Sequence, residues 1–161
     1  MKITIRQGSI LEQQADAIVN AANSKGIMGG GVAGAIRKAG GVVIEREAIM
    51  QAPVPIGSAV ITTGGTLPFS IIHAPTMEHP AEETNVGAVK LATLAALELA
   101  DKCDFKRIAI PGLGTGVGGV SPKDAAAAMI AIIKAFPAKS LQEVILVDIS
   151  GEMVDAWRKA L

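Results

Sequence analysis

The chain has 161 residues, and its 15 Lys and Arg balance its 15 Asp and Glu, so the formal net charge is zero. That balance excludes the strongly basic footprint of a general nucleic-acid binder. One Trp, three Phe and no Tyr leave too few rings for a base-stacking platform, so nucleic acid is not an expected partner. The length suits a single domain over residues 1–161, long enough to bury a full core without covalent staples. Cys103 is the only cysteine, which excludes an internal disulfide. The N-terminus MKITIRQGSI lacks the apolar core of a signal peptide, and no apolar run reaches membrane-spanning length. A cytoplasmic protein with no membrane partner is therefore expected.

In chain order, Lys2–Gln7 reads as a strand, with Ile3 and Ile5 on one face. Ala17–Asn20 reads as a short buried strand. A glycine-rich break follows. Val32–Ala39 is helical until Gly40-Gly41 interrupts it, and Val42–Met50 is helical again. Pro53 and Pro55 force an extended passage. Ser58–Thr62 and Phe69–His73 read as strands around the turn Gly64-Gly65. The span from Pro75 to Asn85 is polar and reads as an exposed connection. Val86–Lys102 is the clearest helix, with Val89, Ala92, Ala96, Leu97 and Ala100 at helical spacing. Arg107–Ile110 is a strand, and Gly112–Gly119 a second glycine-rich loop. Ser121 and Pro122 supply N-cap and N1 signals for a helix running to Ala135. A buried strand at Val144–Val147 and a helix at Glu152–Ala160 close the chain. Strands alternate with helices, which implies a central, largely parallel sheet with helices on both faces.

Ligands of such sheets bind beyond the carboxyl ends of the strands. Two loops fit that place: Asn23 to Gly31 and Gly112 to Gly119, each between a strand and a helix. Glycine lets the backbone approach a ligand, and a helix N-terminus adds positive potential. Two such loops could clamp a diphosphate without a lysine, although glycines also serve tight turns and close packing. The P-loop pattern is absent. Gly114, Gly116 and Gly119 form a GxGxxG, but the acidic residue expected about 20 positions later falls inside the next helix, near Ala135 and Phe136. Asn20 and Asn23 carry amides suited to ribose hydroxyls or to tying loop backbone. Asn20 is assigned mainly to structure and Asn23 mainly to ligand.

The stretches "AIVNAANSKGIMGGGVAGAI" and "IPGLGTGVGGVSP" resemble the two ligand loops of macro domains, and "GSAVITTGGTLPFSIIHAP" resembles their connecting strands. The likeness covers nearly the whole chain and is greatest to small stand-alone bacterial macro proteins. It implies a three-layer α/β/α sandwich around a mixed, largely parallel sheet. It also implies a cleft for ADP-ribose or a related nucleotide, free or attached to protein, with no cofactor. Carried over by position, Asn23 would contact the distal ribose and is the one candidate catalytic residue. Gly29, Gly30, Gly31 and Val32 would line the diphosphate and distal ribose. Gly114, Thr115, Gly116, Val117 and Gly118 would close over the diphosphate from the other side. Ser9 and Ile10 would meet the adenine.

The sequence departs from the family's pattern at several places. Ser9 stands where members often carry an Asp for the adenine amino group. Gly118 stands where many place an aromatic ring, which would leave the pocket more open, and Ile149 replaces an adenine-stacking aromatic. Ala33 and Arg37 occupy positions that the hydrolytic branch fills with Asp and His. What remains for catalysis is Asn23 and a substrate-assisted route. Hydrolysis at the distal ribose (an acetyl ester, a 1″-phosphate or a protein linkage), a non-catalytic ADP-ribose module, and an unrelated dinucleotide-binding protein stay open as readings.

Other polar residues invite plainer roles. His73 reads as a packed or backbone-bonded histidine, and His79 as solvated. With two His and one Cys scattered, no metal-ligand spacing exists. Glu45, Arg46 and Glu47 read as a solvated helix face. Asp148 and Ser150 could shape the adenine end or cap the last helix.

Overall fold

The computed structural model describes all of residues 1–161. Its strands are β1 (Lys2–Gln7), β2 (Ala17–Asn23), β3 (Val60–Thr62), β4 (Ser70–Met77), β5 (Arg107–Ile110) and β6 (Glu143–Asp148). Its helices are α1 (Gly31–Gly40), α2 (Val43–Met50), α3 (Val86–Lys102), α4 (Pro122–Ala135) and α5 (Gly151–Ala160). Single 3-10 turns lie at Ile10–Glu12 and Gly116–Gly118. The strands form one six-stranded sheet in the order β1-β6-β5-β2-β4-β3. All pairs are parallel except β3 with β4, so the sheet is mixed and largely parallel, as expected.

Both faces are covered, which is why the central strands are apolar throughout. Successive residues point to opposite faces. Val19, Ile108, Ile110, Val144 and Leu146 therefore join a large core with α3, α4 and α5. Their neighbours Ile18, Ala109, Ile145 and Val147 join a smaller core with Ile36 of α1 and Ile44 of α2. This is the three-layer α/β/α arrangement. Asn85 and Ser121 cap α3 and α4, each accepting from the amide three residues on, at 2.9 and 3.1 Å.

Two expectations are corrected. β2 runs on from Asn20 to Asn23, and β4 runs on from His73 to Met77, because each continues to pair with the other. Pro75 does not end β4: β3 stops opposite His73, so beyond it β4 is an edge where a missing N–H costs no ladder bond. Pro75 and Thr76 are accordingly buried rather than part of an exposed connection. The register shifts by one where Ala22 pairs with Pro75 and Asn23 with Met77, leaving Thr76 unopposed as a bulge.

Candidate functional site

A cleft of about 1200 Å³ opens along the carboxyl ends of the strands. One wall is loop 1, between β2 and α1; the other is loop 2, between β5 and α4. The floor is made by Ala21, Ala22, Thr76 and Pro111, and the β1 and β6 ends close it with Gly8, Ser9, Ile10 and Ile149. A second concavity of about 550 Å³ lies at the opposite strand ends, but its Glu143 is paired with Arg107 at 2.7 Å and its Asp16 accepts two backbone amides.

Loop 1 is shaped by its own asparagine. Asn23 Oδ1 accepts from the amides of Lys25 and Ile27 at 3.1 and 3.3 Å, and Nδ2 donates to Ile27 O at 2.8 Å. One Nδ2 hydrogen remains for a ligand. Gly34 is the first amide of α1 with an acceptor, Gly30 O at 3.0 Å. The N–H groups of Gly30, Gly31, Val32 and Ala33 precede it and have no partner within the helix. Gly31 holds φ +60, a conformation that favours glycine, at the point where the chain turns into the helix. A Cβ placed on Gly29, Gly30 or Gly31 would meet nothing within 4 Å. These glycines therefore leave open space and do not serve close packing.

Loop 2 offers a second amide row. Gly118 N bonds to Thr115 O, Gly119 N to Gly116 O and Val120 N to Gly114 O. The amides of Thr115, Gly116 and Val117 stand at the start of the 3-10 turn with no such partner. Gly114 is required by the scaffold, since a Cβ there would stand 2.5 Å from Val89 Cγ2. Asp148 braces this wall: Oδ2 accepts from Gly112 N at 3.0 Å and Oδ1 from Ser150 N at 2.9 Å. Ser150 in turn caps α5 by accepting from Met153 N.

Ser9, Ile10, Asn23, Gly29, Gly30, Gly31, Val32, Gly114, Thr115, Gly116, Val117 and Ile149 all line this one cleft. Two expected residues do not. Asn20 shares the face of Ile18 beneath α1 and α2, where Nδ2 meets His73 Nδ1 at 3.2 Å. Gly118 is buried under loop 2, its carbonyl accepting from Thr84 N at 2.8 Å. It leaves no opening in the cleft, because Thr84 Cγ2 lies 3.0 Å from where its Cβ would be. Ser9 Oγ is engaged as a cap, accepting from Leu11 N at 3.1 Å.

Sequence reading missed Thr76, Met77, Pro80 and Ala81, which line the cleft from the β4 end. It also misassigned two carboxylates. Glu45 is no solvated side chain: it accepts from Met28 N at 2.6 Å and pairs with Arg37 Nε at 3.1 Å. Glu47 accepts from Thr63 N and Oγ1, and these bonds hold its carboxyl below its usual pKa. Such partners lie 16 or 17 residues away in loops, where no helical periodicity reveals them.

His73 is buried and bonded on both nitrogens, since Nε2 meets Thr62 Oγ1 at 2.9 Å. Thr62 donates onward to Thr63 O, so Nε2 carries the proton and Nδ1 accepts from Asn20. Burial pushes the His73 pKa down to about 4 against a small opposing pull from Glu47, and the ring is neutral near pH 7.

The profile of the macro domain family matches residues 19–129, more than half of the chain. A protein of Aquifex aeolicus of undescribed function is 59% identical over all of this chain and 98% of its own length. A macro domain-containing protein of Caldanaerobacter subterraneus is 37% identical over 99% of this chain and 95% of its own. Among solved structures, the Oceanobacillus iheyensis macrodomain with MES bound superposes with a TM-score of 0.87 at 27% identity, covering 97% of this chain and 88% of that one. The Trypanosoma brucei macrodomain in complex with ADP-ribose gives 0.85 at 25% identity, covering 98% and 68%. With its sheet order, its two loops and these relatives together, the chain belongs to the macro domain family.

Proposed function

We propose that the cleft binds ADP-ribose, free or attached to a protein, with the diphosphate held between loops 1 and 2. The observation that carries this reading is the pair of unpartnered amide rows, Gly30–Ala33 and Thr115–Val117, on opposite walls of one cleft. They supply donors and helix-end potential without a cation, which suits a chain of zero net charge. The trypanosomal relative was solved with ADP-ribose, which supports the same ligand here. Adenine then rests between Ile10 and Ile149, and the distal ribose meets the free Nδ2 hydrogen of Asn23.

Hydrolysis at the distal ribose is a second reading, favoured by that Asn23 hydrogen on the cleft wall. The candidate reactions are deacetylation of O-acetyl-ADP-ribose, dephosphorylation of ADP-ribose-1″-phosphate and removal of mono-ADP-ribose from protein. Only Asp148 and Glu152 are ionisable among the lining residues, and both sit at the β6–α5 end. A general base is typically worth 10²–10⁴-fold, so a water attacking the distal ribose would rely on the ligand's own phosphate and react slowly.

Calorimetric titration with ADP-ribose tests the first reading: saturable heat is expected, and no heat overturns it. Incubation with the three substrates tests the second. Product from any of them establishes turnover, and binding without product leaves a binding module.

A further inference from the structure

Loop 1 rests on α2. Gly26, at φ +76, lies so close that a Cβ would stand 2.8 Å from the carbonyl carbon of Ala48. Ser24 O accepts from Val54 N at 2.9 Å, just beyond α2. The third contact is Glu45, whose Oε2 accepts from Met28 N at 2.6 Å while Oε1 meets Arg37 Nε of α1 at 3.1 Å. The Met28 side chain is itself buried in the smaller core, so this amide is held from both sides.

Met28 directly precedes the glycines that lead into the free amide row. The row begins at Gly30, two positions on and at most about 7 Å of chain away, so with a hydrogen bond at each end the Glu45 carboxylate stands within about 13 Å of an anion on that row, close to the Debye length at about 50 mM salt. A lone carboxylate there would fix the loop and also repel the ligand. Arg37 removes the second effect without disturbing the first.

We propose that Arg37 and Glu45 are positioning residues for the anion-binding row: Glu45 fixes the amide that leads into it, and Arg37 neutralises the carboxylate that does so. The identity of the anion rests on the ADP-ribose reading; the anchoring of the loop does not.

The test compares wild type, Arg37→Met, Glu45→Gln and the double variant. ADP-ribose is titrated at about 50 mM and about 500 mM NaCl. Arg37→Met leaves an unpaired carboxylate and is expected to weaken binding about tenfold at low salt, and less at high salt. Glu45→Gln keeps an acceptor for Met28 N–H without the charge, so it and the double variant are expected to bind within about twofold of wild type. Undiminished affinity in Arg37→Met, or a double variant as weak as Arg37→Met, overturns the neutralising role. Ligand-free hydrogen exchange tests the anchor separately. Glu45→Ala is expected to speed exchange at the Met28 amide about tenfold or more, and unchanged exchange overturns the anchor. If wild type takes up no ADP-ribose, the functional reading and the neutralising role fail together, and the exchange result decides the anchor.

Discussion

Gly29 and Gly30 have no need of glycine in the unliganded protein. Neither has a left-handed φ, and neither would bring a Cβ within 4 Å of another atom. On the proposed ADP-ribose reading, their bareness makes room for the diphosphate. Gly30→Ala should therefore leave the melting temperature unchanged or slightly raised, since it only restricts the unfolded chain. Affinity for ADP-ribose should fall about tenfold as the methyl meets the diphosphate; calorimetry showing undiminished affinity would remove loop 1 from the site. Gly26→Ala should behave in the opposite way, costing about 1–3 kcal/mol of stability in denaturant melts, because the helix backbone blocks the new atom. Asn23→Ala loses three loop bonds before any ligand contact. It should lower stability by about 1–3 kcal/mol as well as binding, and a variant that loses affinity alone would show that the loop holds itself. At this scale Asn23 and the GGG stretch were legible as residues that share one cleft. That Asn23 spends most of its amide on its own loop was not, because the acceptor of a short polar side chain is fixed only when the loop closes.

Elements were legible where local signals agreed. Val86–Lys102 was read with its bounds from apolar spacing, and Pro122–Ala135 from its capping serine and first-turn proline. Ser121→Ala should cost about 1 kcal/mol of stability in denaturant melts while leaving ADP-ribose affinity unchanged, since Ser121 caps α4 and does not line the cleft. β4 was the failure. Pro75 is a stop signal in isolation, and only the short reach of β3 makes it harmless. The residues lost with it, Thr76 and Met77, line the cleft at the β4 end.

Across the whole molecule, one polar chain crosses three strands: Asn20 of β2, His73 of β4 and Thr62 of β3. It works only with His73 neutral, which sets a pH dependence. The unfolded histidine titrates near 6.5 and the folded one near 4, so between those values the unfolded state binds more protons. This contribution to stability is complete above pH 6.5 and lost as pH falls towards 4, a total of roughly 3 kcal/mol. Denaturant melts of wild type and His73→Gln should therefore converge as pH drops from about 6.5 to about 4.5. A constant gap over that window would place the neutral histidine elsewhere in the energetics.

By itself the sequence determined the α/β class, the largely parallel sheet, the two glycine loops and the face of the sheet they occupy. Those features follow from periods of two and 3.6 residues and from the bareness of glycine, which act within a few neighbours. Tertiary structure decided how each polar side chain is used. It gave Asn20 to His73, buried Gly118 against Thr84, turned Glu45 onto Met28 and extended the cleft along β4. Hydrogen-bond partners far apart in the chain meet only when the layers pack, so residue type shows that such a group needs a partner and the fold alone supplies it.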